Sequence, residues 1–167
     1  MSPEDHAQKA PPIPTLDRAD RAIVMALQED ARLTNVELSD RVGLSPSACH
    51  RRVTMLEKSG LISGYHAHID AALVDYEVVV LVQITLTGQS AAVMKDFEDA
   101  VITIPNLLAC FLMAGAKDYI LRIAARDVTD YGAIHSQHLS ALPHVQSMES
   151  NFVLRTVLNR GLPVELI

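Results

Sequence analysis

Short polar and basic side chains crowd residues 45–60, and their spacing suits contacts with a nucleic acid. If this segment is helical, four of them share one face: Ser47, His50, Arg51 and Thr54. Hydroxyl, imidazole and guanidinium groups donate hydrogen bonds that base edges and phosphates accept. Arg52 and Lys58 flank this face and add positive charge. We therefore predict double-stranded DNA as a partner, contacted by Ser45, Ser47, His50, Arg51, Arg52 and Thr54.

The same segment carries the signals that begin and end a helix. Ser45 is a good N-cap, because its hydroxyl accepts a bond from a free backbone N–H. Pro46 suits the first helical position, and Gly60 suits the left-handed residue that closes a helix. The side opposite the polar face is apolar and predicts a buried stripe: Cys49, Val53 and Leu56.

Two further helices are predicted before this one. Residues 34–37 read Thr-Asn-Val-Glu, a capping box that begins a short helix ending near Val42, and Gly43 begins the turn that follows. An earlier helix, residues 17–28, contributes apolar side chains to a small core: Leu16, Ile23, Val24 and Leu27. Together they predict a helix-turn-helix, whose second helix lies in the major groove. The alternation in residues 65–69 predicts a strand or wing.

Charge is distributed unevenly along the chain. The formal net charge is −6, which by itself argues against an acidic partner. Residues 41–58, however, hold four basic side chains and a single acidic one. One copy offers only a few phosphate contacts, so tight DNA binding predicts a dimer or larger assembly.

Length and composition limit the class of protein. With 167 residues, 49% of them hydrophobic, the chain suits one ordinary domain or two small ones. The proline-containing residues 1–14 predict a disordered tail, and no apolar run is long enough to cross a membrane. Two cysteines, Cys49 and Cys110, indicate neither a disulfide framework nor a zinc site. We expect a cytoplasmic protein.

The second half alternates between strand and helix patterns. Strands are predicted at 77–87, 107–114, 118–125 and 145–155, with helices at 90–104 and 128–142. The order βαββαβ is that of the ferredoxin-like fold, so the fold class is α+β: a winged helix-turn-helix followed by a ferredoxin-like sandwich. Strand 107–114 is apolar on both faces and predicts a central strand. The helix-free sheet face is also partly apolar, which predicts burial against a second copy.

Several motifs, in order, resemble the leucine-responsive regulator/AsnC family of feast/famine transcription factors. They are Leu16–Ile23, Val42–Ser47, Arg51–Val53, Leu56–Glu57, Gly60–Tyr65, Gly115–Tyr119 and Leu142–Val145. The resemblance covers residue 16 to about residue 155. It implies a homodimer, gathered into a tetramer or octamer, that responds to an amino acid or similar metabolite. It divides the chain into a tail (1–14), a DNA-binding domain (15–62), a linker (63–76) and an effector-binding and oligomerisation domain (77–167).

The resemblance also assigns an effector site to Gly115, Ala116, Lys117 and Asp118, with Met148 and Ser150 nearby. Physically, a glycine lets backbone N–H groups approach a carboxylate closely. The carboxylate of Asp118 can accept hydrogen bonds from an α-ammonium group. A structural role for Asp118 in the turn is the alternative. No cofactor, catalytic residue or metal ligand is implied.

Two other functions compete with regulation. Some sirohaem decarboxylases resemble the same two-domain architecture and use histidines, which are frequent here, but no paired nucleophile and base stands out. The pairs His66/His68 and His135/His138 have spacings that could hold a metal, although no carboxylate or cysteine nearby completes either set. A metal-responsive regulator is therefore the weaker alternative. For Arg52, an ion pair with Glu57 or Asp40 competes with DNA contact.

Overall fold

The computed structural model describes residues 15–67 and 69–163. These form two compact units, one containing residues 15–67 and 159–163, the other residues 69–158. The predicted tail, residues 1–14, lies outside the described residues, as do His68 and residues 164–167. Among the described residues, no helix has the length and apolar character needed to cross a membrane.

Three helices make the first unit, α1 (Arg18–Glu29), α2 (Asn35–Val42) and α3 (Pro46–Lys58). Their apolar stripes meet in one core, as predicted for a helix-turn-helix. Its most buried members are Ile23, Ala26, Leu38, Cys49 and Leu56. Because this core is small, the ends of the helices matter to its stability.

Each of these helices begins at a side-chain cap. Asp17 and Asp20 form a capping box at α1, and Thr34 and Glu37 form the predicted one at α2. The hydroxyl of Ser45 accepts a hydrogen bond from the backbone N–H of Ala48 at 3.3 Å. These bonds satisfy N–H groups that have no partner within the first helical turn.

Left-handed glycines close α2 and follow α3. Gly43 has a φ of +69° and Gly60 a φ of +77°, a region in which other residues are strained. The N–H of Leu44, after Gly43, donates to the carbonyl of Ser39 at 2.9 Å and closes the end of α2. The turn between α2 and α3 is therefore as tight as the sequence predicts.

The strand predicted at residues 65–69 is wrong over the residues described. Residues 63–67 and 69–70 form no strand, and a short 3-10 helix follows at Ala71–Val74. A strand needs a hydrogen-bonded neighbour, and no part of the described chain pairs with this segment. Tyr65 is exposed, and its hydroxyl donates to Glu57 at 2.9 Å.

The second unit has the predicted βαββαβ order. The strands are β1 (Val78–Leu86), β2 (Leu107–Leu112), β3 (Tyr119–Ala125) and β4 (Val145–Phe152). The helices are α4 (Ala91–Val101) and α5 (Val128–Gln137), the latter followed by a 3-10 turn at Leu139–Ala141. All strand pairs are antiparallel, in the order β2-β3-β1-β4.

Alternation along β1 determines which face of the sheet carries the core. Four of its side chains are buried with residues of the two helices: Val80, Val82, Ile84 and Leu86. From α4 and α5, the core receives Phe97, Val101, Tyr131 and Ile134. Both helices are shorter than predicted. Helix α4 ends four residues before Pro105, and α5 changes to a 3-10 turn after His138.

The prediction that β2 is a central strand is wrong. β2 pairs with β3 alone and forms one edge of the sheet. Leu108, Phe111 and Leu112 are at least half exposed. A run that is apolar on both faces indicates burial of both faces, but the described residues leave the face of β2 that carries Phe111 uncovered. The apolar pattern of β2 therefore did not distinguish an edge strand from a central one.

Candidate functional site

The polar face of α3 is accessible, as its sequence predicts. Ser45, Ser47, His50 and Arg51 are exposed, whereas Thr54 is half-buried. The hydroxyls of Ser45 and Ser47 lie 3.3 Å apart near the start of the helix. In helix-turn-helix proteins, the first turns of the second helix reach the base edges. Four of the six predicted DNA-contact residues are thus available to a ligand, and their role stays a prediction.

Arg52, the fifth, is already paired within the chain. Its Nη1 atom lies 2.8 Å from Oδ2 of Asp17 and 2.7 Å from Oδ1 of Asp20. The hydrogen bonds that Arg52 donates to Asp20 and Asp17 raise the pKa of Arg52. An ion pair was among the predicted alternatives, but its expected partners, Glu57 and Asp40, were wrong.

Asp118 is the buried polar centre of the second unit. Its Oδ2 atom accepts a hydrogen bond from the backbone N–H of Leu86 at 2.7 Å. Its Oδ1 atom accepts one from the side-chain amide of Gln89 at 2.7 Å. The backbone N–H of Asp118 donates to the carbonyl of Ile84 at 2.9 Å. Each carboxylate oxygen can accept two bonds, so each still has capacity for a ligand donor.

A cleft of about 380 Å³ lies beside Asp118. It falls within the size range of about 300–1,000 Å³ that is usual for small-molecule sites. Apolar side chains form much of its wall, and Asp118 and Gln89 contribute the polar groups. The cleft is lined by Leu86, Gln89, Met94, Leu112, Met113, Ala114, Asp118 and Tyr119. An apolar wall with one carboxylate suits a small ligand that has both an apolar group and a cationic group.

The phenol of Tyr119 forms a second polar contact at this end of the sheet. Its hydroxyl donates to Oε1 of Glu98 at 2.7 Å, and its ring packs on Phe97. Burial, followed by the hydrogen bond to Glu98, raises the pKa of Tyr119 far above its usual value. The phenol therefore stays neutral and acts here as a donor that holds the start of β3 to α4.

The other predicted effector residues are not brought together around the cleft. Gly115 and Ala116 are exposed, and a Cβ built on Gly115 meets no atom within 4 Å. Nζ of Lys117 lies 3.7 Å from Oε2 of Glu149. Among the described residues, nothing near Gly115 requires a glycine, so its contact with a ligand stays a prediction.

Met148 and Ser150 lie on the edge strand β4. Met148 is opposite Ile84 and packs against the core, while Ser150 is opposite Val82. The hydroxyl of Ser150 lies 2.5 Å from that of Tyr131 on α5. Neither residue lines the cleft, so their predicted part in effector binding has no geometric support within one chain.

Sequence reasoning missed several residues that the structure brings to these sites. Gln89 and the backbone of Leu86 hold Asp118, although they lie about thirty positions earlier in the chain. Asp17 and Asp20 hold Arg52 across a similar separation. The sequence shows the charges, but only the packing of β1 on β3 and of α1 on α3 decides which pairs meet.

Histidine and cysteine side chains form no metal cluster in the part of the chain that is described. There, no three His, Cys, Asp or Glu side chains lie close enough together to hold an ion. Of the predicted pairs, His135 and His138 are half-buried on and just after α5, and His66 is exposed. The partner of His66 in that pair, His68, lies outside the described residues.

Comparison with known proteins covers both units. A family model described as the Lrp/AsnC ligand-binding domain matches residues 79–163, and one described as a winged helix-turn-helix DNA-binding domain matches residues 16–63. The leucine-responsive regulatory protein of Escherichia coli K12 is 39% identical over 142 residues, which are 85% of this chain and 87% of that protein. The Bkd operon transcriptional regulator of Pseudomonas aeruginosa is 35% identical over 89% of this chain and 97% of its own.

Two solved structures of transcriptional regulators match most of the chain. A transcriptional regulator of Neisseria meningitidis, crystallised with L-Met, superposes with a TM-score of 0.86 at 34% identity. The match covers 92% of this chain and all of the other. An AsnC family regulator of Agrobacterium tumefaciens has the same TM-score at 30% identity, over 91% of this chain and 99% of its own.

Proposed function

The chain belongs to the Lrp/AsnC family of DNA-binding transcription regulators, and on that premise we propose that α3 reads a DNA site under the control of an apolar amino acid. The chain combines an exposed, capped helix, α3, with an apolar cleft beside the buried carboxylate of Asp118, and this combination carries the proposal. A helix-turn-helix supplies the DNA-binding function, and the ligand-binding domain supplies the response to a small molecule.

For DNA, the proposal assigns the contacts to the exposed face of α3. Ser47, His50 and Arg51 lie on its first two turns, where base edges and phosphates come within reach. Ser45 and Thr54 border this face. A dimer would place two such helices about one turn of DNA apart, and so double the few phosphate contacts of one copy.

For the effector, the proposal assigns the ammonium group to Asp118 and the apolar side chain to the cleft wall. Leu86, Met94 and Leu112 offer apolar surface, and thioethers adapt to ligands of different shape. A charged effector side chain would lose its hydration against this wall without a partner. Two relatives support an apolar effector, one named for leucine and one crystallised with methionine.

We also propose that the chain acts in the cytoplasm as a homodimer or a larger assembly, without a cofactor and without enzymatic activity. The helix-free sheet face supports the assembly, because Leu81 and Phe111 leave apolar surface there. The names of the relatives support regulation over decarboxylation. A tetrapyrrole that shifts its visible absorbance on binding would favour the enzyme instead.

Two measurements test this function together. The purified protein is first used to select duplexes from a random pool, and we expect one sequence to be enriched. A thermal-shift screen with the twenty amino acids is then expected to raise the melting temperature with leucine or methionine, and not with aspartate or lysine. Failure to enrich any duplex contradicts DNA reading, and stabilisation by charged amino acids contradicts the effector class.

A further inference from the structure

Arg51 and Arg52 are neighbours on α3, but their guanidinium groups have different surroundings. Arg52 is 27% exposed and bonds two carboxylates, one of which, Asp20, is only 17% exposed. Arg51 is exposed and has no ion pair within residues 15–67 and 69–163. One arginine is free to bind a ligand, and the other is committed to the fold.

The partners of Arg52 are the two residues of the α1 capping box. Oδ1 of Asp17 accepts from the backbone N–H of Asp20 at 2.9 Å, and Oδ2 of Asp20 accepts from that of Asp17 at 3.3 Å. Arg52 bonds the two oxygens that remain. Each of the four carboxylate oxygens thus accepts one hydrogen bond, and one guanidinium nitrogen joins the start of α1 to the middle of α3.

We infer that Arg52 is a positioning residue that fixes the orientation of α3 on α1, and thereby aims Ser47, His50 and Arg51 at DNA. This inference rests on the proposed DNA-reading role of α3. The remaining contacts between the two helices are apolar and non-directional, whereas charge-assisted hydrogen bonds fix a geometry. Base contacts need such precision, because a misplacement of about 0.5 Å already weakens a designed site.

A direct phosphate contact by Arg52 is disfavoured by the same geometry. Only Nη1 of Arg52 bonds the carboxylates, but the side chain is 27% exposed, so a phosphate that reached its other guanidinium nitrogens would lie close to both aspartates. Asp17 and Asp20 carry two negative charges, of which Arg52 compensates one, so the excess negative charge would repel the phosphate. Removing Arg52 should therefore change the affinity for DNA and its salt dependence differently from removing Arg51.

The first test compares Arg52→Gln with the matched variant Arg51→Gln, which removes the same charge one residue away. Two probes are used, a duplex selected by the wild-type protein from a random pool and a mixed-sequence duplex of equal length. For Arg52→Gln, we expect about tenfold weaker binding to the selected duplex. A loss of this size corresponds to roughly one charge-assisted hydrogen bond. Its binding to the mixed-sequence duplex and the salt dependence of that binding should not change.

Arg51→Gln should behave differently on the mixed-sequence duplex. Because a free arginine releases counterions when it meets phosphate, its removal should lower the slope of log K against log salt by about 0.9. A similar fall in slope for Arg52→Gln would show that Arg52 contacts DNA and would overturn the inference. Unchanged affinity of Arg52→Gln for the selected duplex would overturn it as well.

The second test neutralises Asp17 and Asp20. We expect the DNA affinity to change in the direction opposite to the one that charge alone predicts. The variant Asp17→Asn/Asp20→Asn keeps α1 capped, because asparagine is as good an N-cap as aspartate. It loses two negative charges, which alone should strengthen DNA binding. We expect weaker binding to the selected duplex instead, and little further loss when Arg52→Gln is added. Stronger binding by the double variant contradicts a positioning role.

Two controls separate positioning from folding. Circular dichroism is used to test whether each variant is fully folded at the assay temperature. An affinity loss in a folded variant is then not an effect of unfolding. Arg52→Lys should restore most of the affinity, because one ammonium group can donate to both carboxylates. If Arg52→Gln does not fold, the carboxylate variant and Arg52→Lys decide the matter. If the wild-type protein selects no duplex at all, the proposed function fails before this inference is reached.

Discussion

At the scale of single residues, exposure and partners separate side chains that the sequence makes look alike. Arg51 and Arg52 are adjacent and identical, yet the first is free and the second is held by Asp17 and Asp20. Asp118 likewise has a double character, because it holds its own loop and faces a cleft. Its role in the structure and its proposed role in binding are compatible.

Arg51→Ala is predicted to weaken DNA binding while leaving the fold and the assembly intact. The side chain is exposed and forms no ion pair among the described residues, so its removal costs little stability. A specific contact to a base is worth about 1–3 kcal/mol. Gel-shift titration with the selected duplex measures the change, and unchanged affinity would refute the assignment of Arg51 to the DNA interface.

Asp118→Asn is predicted to abolish the thermal shift caused by the effector. Asparagine keeps an oxygen to accept from the N–H of Leu86, but it loses the negative charge that the ammonium needs. Alanine is a poorer choice, because a buried donor left without a partner costs about 1–3 kcal/mol. The matched control is Asp99→Asn, an exposed carboxylate on α4 outside the cleft lining. A normal effector shift in Asp118→Asn would remove Asp118 from the ligand site.

At the scale of elements, the caps decide where each helix begins. Ser45, Thr34 and the Asp17–Asp20 pair begin the three helices of the first unit. The apolar stripes then determine how the helices pack. The helix that carries the DNA-binding face, α3, is held at its start by Ser45 and by Asn35, whose side-chain amide donates to the carbonyl of Pro46 at 2.9 Å, and in its middle by Arg52.

Ser45→Ala is predicted to lower the free energy of unfolding by about 1 kcal/mol, since an N-cap bond is lost. The hydroxyl accepts from the N–H of Ala48 at 3.3 Å. Ser47→Ala, two residues later, is the control and should change stability by less than about 0.5 kcal/mol. Urea unfolding measures both, and equal effects would contradict the capping role of Ser45.

Asp17 is predicted to make stability depend on acid pH. The backbone N–H of Asp20, with a smaller contribution from Arg52, lowers the pKa of Asp17 in the folded chain. The carboxylate therefore stabilises the fold above its unfolded pKa of about 4, and this contribution disappears as pH falls through the lower folded value. Asp17→Asn keeps the cap but does not titrate, so its unfolding free energy should decline less on acidification. Identical pH profiles would contradict this assignment.

At the scale of the whole molecule, the described residues leave apolar surface on the helix-free face of the sheet, which we propose is covered by a second copy. The helix-free face of the sheet carries Leu81 on β1 and Phe111 on β2, with Arg122 opposite Leu81 in the register. An edge strand with exposed apolar side chains, such as β2, also favours pairing with another chain. These features support the proposed homodimer.

Leu81→Lys is predicted to shift the assembly towards smaller species. A lysine at the centre of a covered face, beside Arg122, would be desolvated without a partner. Leu73→Lys is the matched control, because Leu73 is exposed on the 3-10 helix outside the sheet. Light scattering after size exclusion measures the mass of each variant. An unchanged mass for Leu81→Lys would show that this face is not the interface.

The sequence by itself determined most of the features whose cause is local, although the alternation at residues 65–69 did not produce a strand. Caps, glycines and the 3.6- and 2-residue periods act within one or two turns, so the three helices and the βαββαβ order could be predicted from them. The motifs from Leu16 to Val145 likewise led to the family. The exposed side of α3 followed from periodicity alone, because Cys49 and Leu56 had to be buried.

Only the tertiary structure decided which distant groups meet. It placed β2 at the edge of the sheet, left residues 63–67 without a partner strand, gave Arg52 to α1 and gave Gln89 to Asp118. A pattern of apolar residues indicates which side chains are buried, but not whether the residues that bury them belong to the same chain. Charge pattern reports which groups seek partners, while the packing of elements far apart in sequence determines which partners they find.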